Sequence, residues 1–161
     1  MASKALKSLK CSNHIVRNVT HLLKFKKIQP MLKRSDAQLR HLVSQIQLRH
    51  LESFWHYRRA WAQSNDPLHF DQAWQSLWER LKALNVHQSP QSPRDLAISG
   101  HEVCALLKIP PSRVIGQILN RLLQDVWTHP EHNTAHYLSA QVFQVAQELG
   151  VESSTLNRTR F

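Results

Sequence analysis

Leu6, Leu9, Val16, Val19, Leu22 and Leu23 keep to one side of a 3.6-residue period through the first 25 positions, and polar residues fill the other side. The spacing predicts a short helix over about 3–10 and a second over about 13–25, with Ser12 as its N-cap. Lys26–Lys33, interrupted by Pro30, reads as a basic connection. Ser35 is placed to cap the next helix, with Asp36 in its first turn, where the helix dipole favours an acid. Leu39, Leu42, Val43 and Ile46 then repeat the period, and Leu48, Leu51, Trp55 and Ala62 continue it past a break expected near 47–50. Asn65-Asp66-Pro67 stops the run. Another apolar face occupies about 68–84, built from Phe70, Trp74, Leu77, Trp78, Leu81 and Leu84.

Periodicity disappears between Asn85 and Ile98, where two Ser-Pro steps suggest a linker. Beyond it, Ser99 with Glu102 three residues on has the form of a capping box. Pro110-Pro111 ends that short helix, and Ser112 is placed to cap a long one with Val114, Ile115, Ile118, Leu119, Leu122, Leu123 and Val126 inward. Asn133 is the expected cap of the last helix, which presents Leu138, Val142, Val145 and Leu149 and ends at Gly150. Residues 151–161 read as a frayed end. The expectation is an all-α chain: a helical body module at about 1–90 and a small helical-hairpin tail at about 95–161. Three glycines in 161 residues are too few for a turn-rich β protein.

Charge sharpens this picture. Residues 1–34 carry nine Lys or Arg and no acid, whereas the remaining 127 hold twelve bases against eleven acids. The formal excess of +10 therefore sits at one end, as a polyanion-binding segment would have it. A solvated helix face is the plainer alternative. Cys11 and Cys104 form no C-x-x-C pair and are expected to be buried thiols in a reducing compartment. No apolar run approaches the roughly 20 residues that span a bilayer, so a soluble, cytoplasmic protein is expected. The basic, acid-free start also fits an organellar import signal, although its apolar face runs on into the second helix.

Candidate chemistry is sparse. The acids stand singly along the helices, with no Asp-x-Asp pair to hold metal ions for phosphoryl or nucleotidyl transfer. No glycine-rich phosphate loop, G-x-S-x-G elbow or H-E-x-x-H occurs, and no catalytic residue is assigned. His129, His132 and His136, with Cys104, could be weighed as zinc ligands. Pro130 and Asn133 put the first two in a turn, so helical spacing does not aim all three at one point, and no metal site is assigned. Trp74 and Trp78, four apart beside Phe70 and Leu81, suit a helix–helix core better than base stacking. Arg58 and Arg59, beside Tyr57, are surface candidates. The amides at the start of the Ser112 helix, next to Arg113, would suit a phosphate. Gly116 in that helix costs about 1 kcal/mol and implies a close approach by a neighbouring backbone or ligand.

The segment Ile98-Ser99-Gly100-His101-Glu102-Val103, together with Ile109-Pro110-Pro111-Ser112-Arg113-Val114-Ile115-Gly116-Gln117-Ile118-Leu119, resembles the tail domain of bacterial-type tRNA nucleotidyltransferases, the CCA-adding enzymes, and related poly(A) polymerases. Asn133-Thr134 and Leu138 fall where that family has Asn, Thr or Ser, and Leu. Ser112 departs from the usual glycine. Leu6 to Asn13 is similar to the family's entry to the body domain, and Leu39-Arg40-His41-Leu42 to its Val-Arg-Arg-Phe-Leu stretch. Trp61 stands where an Ala-Asp ending is common. The resemblance implies body and tail without the catalytic head and nucleotide-selecting neck, so magnesium and CTP or ATP would belong to a head in cis or on a separate subunit. It implies tRNA as partner, gripped at its acceptor and TΨC arms through backbone and shape. The RNA-contacting residues expected are Lys10, Arg17, Lys24, Lys26, Lys27, Lys33, Arg34 and Arg40 in the body, and Gly100, Ser112, Arg113 and Gly116 in the tail. A free-standing RNA-binding or protein-interaction module derived from that family is the alternative.

Overall fold

The computed structural model describes residues 2–26, 28, 33–65 and 70–151, with the side chains at 62, 63, 65, 70 and 71 left aside. Among the described residues there are eight α-helices and no strand: α1 (Ala2–Ser8), α2 (Asn13–Leu23), α3 (Asp36–Ile46), α4 (Leu51–Asn65), α5 (Phe70–Ala83), α6 (Gly100–Leu107), α7 (Arg113–Thr128) and α8 (Ala135–Glu148). No helix among them is long and apolar enough to cross a membrane. The all-α expectation holds. The Asp66-Pro67 stop, most of the Lys26–Lys33 connection and residues 152–161 lie outside the described residues.

The chain divides into two compact units. One comprises Met1–Ser35 and Leu42–His87, the other Asp36–His41 and Gln88–Phe161. In the first, α2 starts where the Ser12 side chain accepts from the Ile15 amide. The break after α3 falls at Gln47, whose φ of 68° and ψ of 129° lie where only glycine is at ease, and a 3-10 turn, Leu48–His50, comes next. Leu42, Val43, Ile46, Leu51, Phe54, Trp74, Leu77 and Leu81 are buried. Phe54 meets Trp74 edge-on at 6.0 Å, and Trp55 stacks on Trp78 at 4.9 Å. The tryptophans thus pack α4 against α5.

Arg58 corrects a surface expectation. It is 2% exposed, with its guanidinium 4.7 Å from the Trp74 ring centre and 5.1 Å from that of Trp61, and its Nη1 donates to the Lys26 carbonyl at 2.7 Å. Two aromatic faces and a carbonyl replace the water that a cation loses on burial.

The second unit encloses one apolar cluster from α6, α7 and α8, including Val103, Leu107, Ile118, Leu122, Val126, Leu138 and Val142. Ser99 and Glu102 form the capping box expected of them. At the far end of α8 the Gly150 amide bonds the Gln147 carbonyl and the Val151 amide bonds that of Ala146, a Schellman closure with Gly150 at φ +71°. Residues 88–98 are tied down instead of spanning free. Trp127 Nε1 donates to the Pro90 carbonyl at 2.9 Å, Ser92 and Asp95 form a second capping box, and Leu96 and Ile98 are buried. Ser92 is extended before Pro93, and the apolar side chains beyond it pack.

Two caps differ from expectation. Thr134, not Asn133, caps α8 by accepting from the Tyr137 amide. Asn133 instead accepts from the Ala97 amide at 2.8 Å and donates to the Asp95 carbonyl at 3.3 Å, tying two chain segments together. Ser112 occupies the N-cap position of α7, but its hydroxyl makes no capping bond. Both cysteines are free thiols and only half-buried.

Candidate functional site

Along α2, Asn13, Arg17, His21 and Lys24 recur at intervals of three and four, so they share one face. That face forms one wall of a groove of about 680 Å³ in the first unit. Ser3 and Lys7 of α1 close one side; Gln47, Arg49 and His50 of the helix break close the other. Four cationic side chains (Lys7, Arg17, Lys24 and Arg49) and two imidazoles line it, and no carboxylate does so among the described residues.

The break is held in shape by contacts that also fix the histidines. The last carbonyl of α3, Ile46, lacks an in-helix partner and takes a hydrogen bond from His21 Nε2 at 2.9 Å. A carbonyl can only accept, so Nε2 carries the proton. His21 lies 5.1 Å from the His50 ring and meets Phe25 edge-on. Burial, then the charges of Arg49, His21 and His14, hold the His50 pKa below its ordinary value, so His50 is neutral at neutral pH. Arg49 Nη2 donates to the Gln47 side-chain oxygen at 2.7 Å. The strained Gln47 backbone therefore sits at the groove wall, steadied by a cation of the same wall. Such a surface can bind a polyanion by charge and by hydrogen-bond donors.

Of the expected contact residues, Arg17 and Lys24 line this groove. Lys10 is exposed in a left-handed turn after α1, with φ 54°, while Lys26 and Lys33 are exposed and Arg34 is half-buried. Lys27 lies outside the described residues. Arg40 corrects its expectation. It is 8% exposed, and its Nη1 donates to the Trp127 carbonyl at 2.7 Å and its Nε to Ser89 Oγ at 3.3 Å, so the guanidinium serves the second unit's own packing. Lys7, Arg49, His21 and His50 join the groove without being expected there. The α2 spacing could have flagged His21, whereas Arg49 and His50 reach the groove only because the chain breaks at Gln47.

In the tail, Gly100 is half-buried, and a Cβ there would sit 3.5 Å from Ile115 and 3.6 Å from Leu119, ordinary packing distances. Ser112, Arg113 and Gly116 are exposed together at the start of α7. A Cβ at Gly116 would meet nothing within 4 Å, so no neighbour inside the unit requires glycine there. Among the residues weighed for a metal, His129 and His132 come together with Glu131, and neither His136 nor Cys104 joins them.

A family profile described as tRNA nucleotidyltransferase domain 2 matches residues 1–142. Neither a curated protein nor a solved structure matches the chain.

Proposed function

The chain belongs to the tRNA nucleotidyltransferase domain 2 family, and from that premise we propose that it is the tRNA-holding part of a CCA-adding machine. The acid-free groove carries this reading, because it gathers Lys7, Arg17, Lys24 and Arg49 on one concave surface of the first unit. Phosphates are the ligand that such a wall suits: each neutralised phosphate releases condensed counterions, which supplies affinity without base contacts. Duplex RNA hides its base edges in a deep, narrow groove, so recognition by backbone and shape fits the acceptor and TΨC arms. The exposed start of α7, with Ser112, Arg113 and Gly116, is the second contact, where amide groups and a guanidinium face outward and no side chain stands at 116.

In this reading the chain transfers no nucleotide itself. Its acids stand singly along the helices, and none of the described ones lines the groove, so in this reading magnesium and CTP or ATP belong to a catalytic head in cis or on a separate subunit. The test is direct. Incubated with tRNA lacking its CCA end, CTP, ATP and magnesium, the chain should retard the tRNA in a native gel and leave its length unchanged. Extension of the tRNA would overturn the non-catalytic role, and failure to retard it at low salt would overturn the binding role.

A further inference from the structure

We propose that His129, Glu131 and His132, at the corner between α7 and α8, form a binding site for a late first-row divalent metal ion such as zinc. Each of the three offers a ligand atom, and these atoms all lie within 4.8 Å of one another. His129 Nδ1 and Glu131 Oε1 stand 3.4 Å apart. Two ligands each about 2.0–2.1 Å from a tetrahedral ion are separated by an edge of about 3.3 Å, so this pair is already at coordinating distance. The chemistry of the set, two imidazoles and a carboxylate, suits zinc, cobalt, nickel or copper better than magnesium or calcium.

His132 carries the support that a ligating imidazole needs. Its Nδ1 lies 2.9 Å from Asp125 Oδ2. The carboxylate accepts, so Nδ1 holds the proton and Nε2 presents its lone pair, the arrangement in which a second carboxylate orients a metal-binding histidine. The Tyr137 ring stacks on that of His132 at 3.9 Å and the His129 ring does so at 4.7 Å, which restrains the imidazole plane. The turn is what makes the group possible. Pro130 starts the 3-10 segment Pro130–His132, and the His132 amide donates to the His129 carbonyl at 3.0 Å, which closes the turn and brings both histidines to one corner. Three protein ligands leave a position for water, and an ion there would clamp the connection from α7 to α8.

Cobalt(II) titration of the chelator-treated full chain at pH 7.5 tests this through the visible absorption of the bound ion. The expected result is one saturable equivalent in the wild type and at least about tenfold weaker binding in Glu131→Gln, whose exposed side chain can change without disturbing the fold. His129→Ala/His132→Ala should abolish the signal, and Asp125→Asn should weaken it about tenfold by releasing the His132 ring. His101→Ala, an exposed histidine elsewhere, should leave it unchanged. Zinc should also raise the melting temperature of the wild type but not of the double variant. No saturable binding below about 1 mM would overturn the site, and so would full binding in Glu131→Gln or the double variant.

Discussion

Replacing Gly116 by Ala should make the protein more stable and, on the proposed RNA contact at α7, weaken tRNA binding. Gly116 lies inside the first two turns of α7, exposed, and an added Cβ meets no heavy atom within 4 Å. Steric cost is therefore absent, and the helix-propensity difference between glycine and alanine remains, about 0.8–1.0 kcal/mol in favour of alanine. For a cooperative unit of 60–100 residues this raises the melting temperature by roughly 4–8 °C. Gly116→Leu should behave similarly in stability, since nothing opposes the longer side chain on the protein side. Both should lower tRNA affinity, leucine more, if an RNA backbone approaches the bare helix start. Calorimetric melting and a tRNA titration on the same preparations supply both readouts. A fall in melting temperature would refute the open-surface argument. A rise with affinity intact would remove α7 from the RNA contact.

The second unit yields three further expected outcomes. Lys108 ends α6 in the left-handed region at φ 55°, a conformation that costs a non-glycine residue about 1 kcal/mol, so Lys108→Gly should raise urea-unfolding stability by about 0.5–1 kcal/mol. Asn133→Ala breaks the bonds to Ala97 and Asp95 and should cost about 1–2 kcal/mol in the same assay, with Thr134 still capping α8. Bonds from the Ser99 backbone and hydroxyl hold the Glu102 pKa below 4.5, so its capping contribution is present above that pH and is lost as pH falls through the lowered value. Glu102→Gln should accordingly flatten the acid limb of a stability-versus-pH curve, and an unchanged limb would remove Glu102 from it.

Much of the fold was legible because its signals are local. The caps at Ser12 and Ser99, the closure at Gly150, the break near 47–50 and the core placing of Trp74 all arise from residues within a few positions of one another. The departures depend on partners far along the chain. Arg58 is buried because Lys26, 32 residues away, offers a carbonyl, and Arg40 because Trp127 does, 87 residues away. Asn133 has the chemistry of a cap, but Asp95 and Ala97 claim its side chain first. In the candidate site, charge counting pointed to the segment whose Arg17 and Lys24 line the groove. It did not reach Arg49 and His50, since only the turn at Gln47 brings them there.

Whether the groove of the first unit binds tRNA phosphates can be read from the salt dependence of binding. Arg17, Lys24 and Arg49 are exposed, so replacing all three with alanine should leave the helical signal intact. Each lost phosphate contact lowers the slope of log affinity against log salt by about 0.9. We expect weaker tRNA binding in the triple variant and a slope shallower by roughly 2–3. Wild-type affinity with an unchanged slope would contradict a phosphate-binding groove.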